Sequence, residues 1–384
     1  MSKVSLIKCE TYDQEILNEK ICSAISLIGG FENLIKKDSK VFIKLNLVGA
    51  FEKEKAITTH PEVVRSIIKN IKKYTNNIIV GDNPAVRDQV YVLKKCGIYQ
   101  VLQDENVQIL NQDKIITITN SSPKIYDKFD VTEEMIDCDV LINLPKVKTH
   151  SLAYMTCAEK NFFGSIYGLN KSAWHVKANN PLEFGEAMND LFGAILESFK
   201  KKNAKMIHIA DGIIGLEGEG PSTGGKPKQA NAIIASLDAI SLDRVACELV
   251  HLNPEKLFIT NIAGERGYGE SNIENIEIVG NQLTDFNVFF EEPKDSLGNI
   301  GLRILKFKPL RNLILEHPVI NHNKCIKCGE CAKICPPKTM TIVKGEFPKL
   351  HNIKCIRCWC CQEVCPQNAI DKSKRPLLGR LIIK

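Results

Sequence analysis

The chain has 384 residues, 44% of them hydrophobic and 25% charged, with a formal net charge of +6. Such a composition excludes a disordered chain and leaves room for a large core with a second, smaller domain. No run reaches the ~18 to 20 apolar residues of a membrane span, and the opening MSKVSLIKCETYDQ has neither the apolar stretch nor the cleavage site of a signal peptide, so a cytoplasmic protein without a transmembrane segment is expected.

From the amino end, strand-like and helix-like segments alternate. Helical periodicity in DQEILNEKICSAISLI is followed by the apolar strand KVFIKLNLV (40–48), then by the helix PEVVRSIIKNIKKY, with Pro61 suited to a first turn. Strands NIIVGD (77–82), VQILN (107–111) and DVLINLP (139–145) come next, then a helix over 181–202. MIHIAD (206–211), NAIIASLD (231–238), the helix SLDRVACELVHL and IEIVG (276–280) complete the series. Near-continuous apolar strands between helices predict an α/β fold, a mostly parallel sheet covered by helices. Ligands in such sheets sit beyond the carboxyl ends of the strands.

Polar side chains gather at those predicted ends. Lys44 and Asn46 interrupt the first strand, NLPKVKTHS sets Lys146, Lys148 and His150 after another, and Asp211 closes a third. AEKNFFGSIYG (158–168) adds Lys160 and Asn161. Any one of these alone is more often a cap, a turn or a solvated charge; their repetition points to a shared site. Several lysines beside a histidine suit an anionic substrate or cofactor, held through carboxylate or phosphate. We expect Lys44, Asn46, Lys146, Lys160 and Asn161 to bind it, and His150, Lys148 and Asp211 to carry the chemistry, His150 by moving a proton near neutral pH.

The glycine-rich segment DGIIGLEGEGPSTGGKPK (211–228) contains GPSTGGK, which satisfies G-x4-G-K. Pro227 stands where a phosphate-binding loop needs Ser or Thr for magnesium, and a strand follows rather than a helix, so a nucleotide loop is not expected. A flap over a site, or a surface loop, fits better. No G-x-G-x-x-G follows a strand, which leaves NAD or FAD of the Rossmann type without support.

Nine of the fifteen cysteines fall between Cys325 and Cys365. In a reducing compartment that density argues for metal ligation rather than disulfides. KCIKCGECAKICP (324–336) repeats 30 residues later as KCIRCWCCQEVCP (354–366), and Cys360, which aligns with Glu330, is the one thiol of the second run outside the repeat. Each half reads C-x2-C-x2-C-x3-C-P, which resembles the two-cluster bacterial ferredoxin pattern, where the fourth cysteine of each run ligates the other cluster. The resemblance implies two [4Fe-4S] clusters, one on Cys325, Cys328, Cys331 and Cys365, the second on Cys355, Cys358, Cys361 and Cys335. Tetrahedral zinc is the alternative, although zinc ribbons usually space two C-x2-C pairs further apart. Cys360 is expected to pack near the second cluster and Trp359 to cover it, limiting water and tuning its potential.

Charge divides the same way. Residues 301–384 carry 17 Lys plus Arg against 5 Asp plus Glu, a formal +12, which leaves −6 for residues 1–300. We therefore expect an α/β domain over 1–300, and a linker with a small α+β ferredoxin-type domain over 301–384, the boundary lying near EEPKDSLGNIG (291–301). The basic module could steer an acidic redox partner such as a ferredoxin or flavodoxin. Nucleic acid is the rival partner, but no aromatic-interleaved basic stripe accompanies the charge; the tail DKSKRPLLGRLIIK could instead lie on an anionic membrane surface.

VFIKLNLV, THPE at 59–62, NLPKVKTHS, Lys160-Asn161 with Gly164, and DGIIGLEGEGP ahead of the cysteine repeat together resemble the uncharacterised family called domain of unknown function 362, found mainly in anaerobic bacteria and archaea. The resemblance covers nearly the whole chain and implies an iron–sulfur protein of anaerobic metabolism, with no settled reaction. GDNPAV at 81–86 departs from the more glycine-rich turn of that family, which leaves Asp82 outside the candidate set. Two functional classes follow. One is an oxidoreductase of the ferredoxin-dependent kind, whose tethered clusters deliver low-potential electrons to the ligand of the large domain; the other is an electron carrier whose large domain only docks partners. A nucleic-acid-binding protein with structural clusters is the weaker third.

Overall fold

The structure, a computed structural model, describes residues 1–166, 174, 178, 180–293 and 312–382. The expected domain boundary at residues 300 and 301 lies outside the described residues, as does the end of AEKNFFGSIYG.

The strands of the larger part, in chain order, are β1 (Ser2–Lys8), β2 (Val41–Lys44), β3 (Ile78–Gly81), β4 (Gln108–Ile109), β5 (Ile115–Thr119), β6 (Lys128–Thr132), β7 (Val140–Asn143), β8 (Lys146–His150), β9 (Tyr154–Thr156), β10 (Lys205–Gly218), β11 (Gly225–Ser236) and β12 (Ile276–Gly280). β5 and β6 form a separate hairpin. The other ten make one sheet in the order β12-β1-β11-β10-β7-β2-β3-β4, with β8 against β10 and β9 against β8. The run β10-β7-β2-β3-β4 is parallel throughout, and β11 is antiparallel to both its neighbours. The fold is thus mixed α/β with a mostly parallel central sheet.

Alternation along the strands sorts side chains to two cores. Val41, Ile43, Val140 and Ile142 meet the helices Gln14–Ser26 and Pro61–Ile71 on one face. Phe42 and Leu141 meet the helices Pro181–Lys202 and Ala239–Leu249 on the other. Helix starts follow local chemistry: Asp13 accepts from the amides of Glu15 and Ile16, and Pro61 opens its helix behind the His60 cap. Within Pro61–Ile71, Val63, Val64, Ile67, Ile68 and Ile71 are buried, each contributing about 1.5 to 3 kcal/mol of burial.

Two expectations are corrected. The glycine-rich segment is mainly a β-hairpin: residues up to Gly218 extend β10, β11 resumes at Gly225, and only Glu219–Gly224 form the turn. NLPKVKTHS is likewise a strand rather than a loop beyond one. β7 ends at Asn143, and after Leu144-Pro145 the chain continues as β8 along the same side of the long β10.

The cysteine-rich part adds β13 (Pro318–Ile320), β14 (Met340–Thr341), β15 (Lys349–Leu350) and β16 (Ile370–Lys372), with short helices Glu330–Ile334 and Cys360–Glu363. β13 pairs with β16 and β14 with β15, both antiparallel. Among the described residues no helix is long and apolar enough to cross a membrane.

Candidate functional site

At the end of β2 the Lys44 ammonium is fully buried and donates to Asp82 Oδ1 at 2.6 Å and to the Leu45 carbonyl at 2.8 Å. Burial pulls its pKa down, and the Asp82 charge opposes that. Asp82, at the end of β3, also accepts from the amides of Leu47 (2.7 Å) and Asn83 (2.8 Å). Gly164 passes close above this pair. A Cβ there would overlap Asp82 Oδ1 and come within 2.6 Å of Lys44 Nζ, so the approach requires glycine.

Lys146, Lys148 and His150 occupy alternate positions of β8 and are buried despite their polarity. Lys146 is committed elsewhere. It donates to Asp211 Oδ2 (2.8 Å) and to the Tyr12 hydroxyl (2.9 Å), while Tyr12, stacked on His60 at 3.6 Å, donates to Asp211 Oδ1. Lys148 donates to neutral acceptors, Asn46 Oδ1 at 2.6 Å and the Ile57 carbonyl at 2.7 Å, and makes no ion pair among the described residues. Burial, then the nearby Lys160 and Lys146 charges, hold its pKa well below the ordinary lysine value. An amide chain fixes its acceptor: Asn46 donates to Asn161 Oδ1 (3.0 Å), and Asn161 to Asn143 Oδ1 (2.7 Å). The Nδ1 of His150 accepts from the Leu152 and Ala153 amides, so a neutral ring carries its proton on Nε2, which faces Glu363 Oε1 at 3.7 Å.

Glu363 belongs to the cysteine-rich part, and this is where the two parts meet. A cavity is walled on one side by Asn46, Lys148, Thr156, Lys160, Asn161, Asp82, Asn83 and Phe163, and on the other by Ile334, Cys360, Glu363 and Val364. Pro221 of the β10–β11 turn also lines it. Burial raises the pKa of the Glu363 carboxyl, and the Lys160 and Lys148 charges pull it back. Burial lowers that of Lys160, against the pull of Glu363 and Cys360. The junction is held by Arg87 to Glu330 (2.7 Å), by Lys372 to Glu219, and by the Thr223 hydroxyl donating to the Cys365 carbonyl (3.0 Å). Ile334, Cys358, Cys360 and Val364 pack there with Ala85 and Val86.

Two further cavities lie inside the cysteine-rich part. One is lined by Cys325, Cys328, Cys331 and Cys365; the other by Cys335, Cys355, Cys358 and Cys361. The 30-residue repeat extends to the backbone. Positive φ recurs at Lys327 and Arg357, at Gly329 and Trp359, and at Lys338 and Asn368. It extends to hydrogen bonds as well, since the Thr339 amide donates to Cys335 Sγ (3.3 Å) and the Ala369 amide to Cys365 Sγ (3.2 Å). Four thiols around a void, with amides aimed at sulfur, fit the donor set of an iron–sulfur group.

Of the predicted residues, then, Asn46, Lys148, Lys160 and Asn161 line the common cavity. Lys44 stands behind it through Asp82, and His150 reaches it through Glu363. Lys146 and Asp211 form a separate, Tyr12-capped pair. Sequence reasoning sets Asp82 aside on the departure of GDNPAV from the family turn, and misses Glu363 and the cavity face of Cys360. The repeat holds a signal for the last two, because Glu363 and Cys360 replace Lys333 and Glu330.

Residues 41–248 match the family model described as Domain of unknown function (DUF362), and residues 317–366 match a 4Fe-4S dicluster domain. The second match favours iron–sulfur over zinc for the cysteine repeat. A thylakoid-associated protein of Synechocystis sp. is 30% identical over 254 residues, covering 66% of this chain and 76% of that protein. Among solved structures, the lactate racemase apoprotein of Thermoanaerobacterium thermosaccharolyticum shows 14% identity and a TM-score of 0.39 over 65% of this chain and 57% of its own. A Thermotoga maritima protein shows 13% and 0.41 over 63% and 60%. The chain therefore spans less than two thirds of either solved structure.

Proposed function

The chain belongs to the family described as Domain of unknown function (DUF362) and carries a 4Fe-4S domain, and from that premise we propose an iron–sulfur oxidoreductase that passes low-potential electrons to an anionic substrate or cofactor at the sheet ends. The proposal divides the chain at residues 300 and 301. It assigns two [4Fe-4S] groups, one to Cys325, Cys328, Cys331 and Cys365, the other to Cys335, Cys355, Cys358 and Cys361. When bound, these groups supply one-electron chemistry.

The observation that carries the reading is the shared wall. Cys360 faces the cavity that contains Lys148 and Lys160, and it adjoins Cys361 in the chain, about 3.8 Å away between Cα atoms. Ligand and electron source would then be neighbours. Lys148 and Lys160 would neutralise the anion, with Asn46 and Asn161 holding Lys148 in place. His150, with its proton on Nε2 beside Glu363, would resupply protons as charge arrives. Lys44 and Asp82 would fix the sheet ends, and Lys146 with Asp211 would act at one remove by setting the position of β8.

The test begins with anaerobic purification. About eight irons per chain are expected for two such groups, together with a co-purifying anionic small molecule identified by mass spectrometry. The Lys148→Met variant should keep its iron, yet bind that molecule at least ~10-fold more weakly, about 1.4 kcal/mol. Full iron with unchanged affinity in Lys148→Met would remove the large domain from the chemistry and leave a carrier.

A further inference from the structure

The two cysteine cavities are related by the repeat but differ in surroundings. Cys355, Cys358 and Cys361 are buried, Trp359 among them is 4% exposed, and Ile356 packs in the apolar cluster that joins Ala85 and Val86 of the α/β part. At the matching positions of the first repeat Cys331 is as buried as Cys361, but Cys325 and Cys328 are half-buried and Ile326, which lines the cavity of those thiols, is 60% exposed.

Around Ile326 two loops form one surface. Lys327 Nζ donates to the Gly345 carbonyl at 2.8 Å and lies 4.4 Å from the centre of the Phe347 ring, on which His322 stacks at 4.1 Å. The loop 343–347 is thereby pinned beside the loop 324–328, and Val343, on the first of these loops, is 62% exposed. Lys324, Lys327, Lys344 and Lys349 are exposed around it. The nearby carboxylate of Glu346 is paired with Lys349 at 3.2 Å.

We propose that this face, Ile326 and Val343 ringed by Lys324, Lys327 and Lys344, is the docking surface for an acidic one-electron carrier protein. The inference rests on the electron-transfer reading given above and adds the port of entry. A small apolar centre within a predominantly basic rim is the anatomy of a brief, electrostatically steered encounter. The excess of lysines over the paired Glu346 selects an acidic partner, and the exposed Ile326 also lines the thiol cavity. In each encounter one electron leaves the carrier, which is oxidised by one unit, and enters the iron–sulfur site, which is reduced by one unit. No bond breaks and no proton is required.

The experiment uses the intact iron-loaded protein and an acidic plant-type [2Fe-2S] ferredoxin as probe. Two quantities are read: the affinity of the oxidised ferredoxin, and the rate at which the reduced form bleaches the iron–sulfur absorbance. Photoreduced deazaflavin serves as a small uncharged donor for comparison. Lys324→Glu with Lys344→Glu should weaken binding and slow ferredoxin reduction at low ionic strength by roughly 10-fold or more, while the deazaflavin rate stays unchanged. Lys200→Glu with Lys201→Glu, on the far helix, should leave both rates unchanged. Wild-type affinity and rate in the Lys324/Lys344 variant would overturn the proposal, as would equal losses in the Lys200/Lys201 control. Loss of heparin or anionic-vesicle retention without a change in ferredoxin rate would also overturn it, in favour of a polyanion. If neither donor reduces wild-type protein, the electron-transfer reading itself has failed, which separates the two failures.

Discussion

Replacing Asp82 by Asn tests whether the sheet ends are held by a buried charge pair. The side chains of Lys44 and Asp82 are 1% and 4% exposed, and their contact is 2.6 Å. Removing the carboxylate charge leaves the Lys44 ammonium enclosed with neutral acceptors in place of a counter-charge, the Leu45 carbonyl among them. Breaking a buried pair from one side costs about 3 to 5 kcal/mol. The new amide NH2 would also face either the Lys44 ammonium together with the Asn83 amide, in the place of Oδ1, or the Leu47 amide, in the place of Oδ2, for a further ~1 to 3 kcal/mol. Adding Lys44→Met removes the stranded charge, and the oxygen of the introduced side-chain amide can still accept from one of the two backbone amides. The double variant should therefore recover part of the loss, on the order of 1 to 4 kcal/mol. The assay is anaerobic urea unfolding of wild type and the three variants at matched iron content, because a chain with bound clusters has a meaningful midpoint only within such a series. A single Asp82→Asn variant within ~0.5 kcal/mol of wild type, or a double variant no better than the single, would refute the reasoning.

Gly164→Ala should strike the same pair from above, since its Cβ would overlap Asp82 Oδ1; a cost of ~1 to 3 kcal/mol in the same urea series is expected, and a neutral result would show that the loop yields freely. His208 is buried, its Nδ1 is 3.1 Å from Asn143 Nδ2, and burial lowers its pKa to about 4. Between pH 6.5 and 4 the unfolded chain gains a proton there that the folded chain does not, so this group makes stability fall as pH falls. Asp243, pushed by burial to about 7, works in the opposite sense over much of that range, so the comparison must be made by difference. The cost of His208→Gln should be smaller at pH 4.5 than at pH 7 by about 2 kcal/mol, and equal costs at the two pH values would rule out a neutral buried imidazole. Trp359 adopts φ of 61° where the first repeat has Gly329; Trp359→Gly should relieve that strain, admit water and raise the reduction potential of the adjoining site, with ~59 mV for each ~1.4 kcal/mol of differential solvation. An unchanged potential by EPR-monitored redox titration would show that Trp359 is not a solvent cover.

Legibility in the sequence followed burial. Val41–Lys44 and Val140–Asn143 read as strands because parallel strands covered on both faces are continuous apolar runs. β8 does not, because Lys146, Lys148, Thr149 and His150 satisfy no apolar period. Composition rules assign such residues to the surface; here Asp211, Asn46 and a carbonyl carry them inside, information that lies 65 to 102 residues away in the chain. β1 is obscured for a similar reason. Lys3 and Lys8 bracket a buried run of only four residues, Ser5 among them, and its partners β11 and β12 come more than two hundred residues later.

The site was legible in type more than in membership. Lysines at strand ends pointed to a common anion site, and four of them prove to have three fates: Lys148 and Lys160 face the cavity, Lys44 braces it, and Lys146 is taken by Asp211. Spacing alone cannot separate these, because the choice depends on which carboxylate each ammonium meets first. The cysteine repeat holds more than its ligand pattern. The second copy repeats the first copy's backbone even where the residue changes, with positive φ at Lys327 and Arg357 and at Gly329 and Trp359. Two of its departures, Cys360 and Glu363, face the α/β part. Lys333 is exposed on its helix, whereas its counterpart Glu363 lies opposite Lys148, Lys160 and His150. A Lys-to-Glu exchange between two copies of one motif has no reason within the motif, because the cysteines and the turns are unaffected. It acquires one once the second copy is set against a basic cavity, where a lysine would add a further buried like charge and a carboxylate provides the counterion. Broken symmetry within an internal repeat thus marks the surface at which the two parts of this chain were fitted to each other.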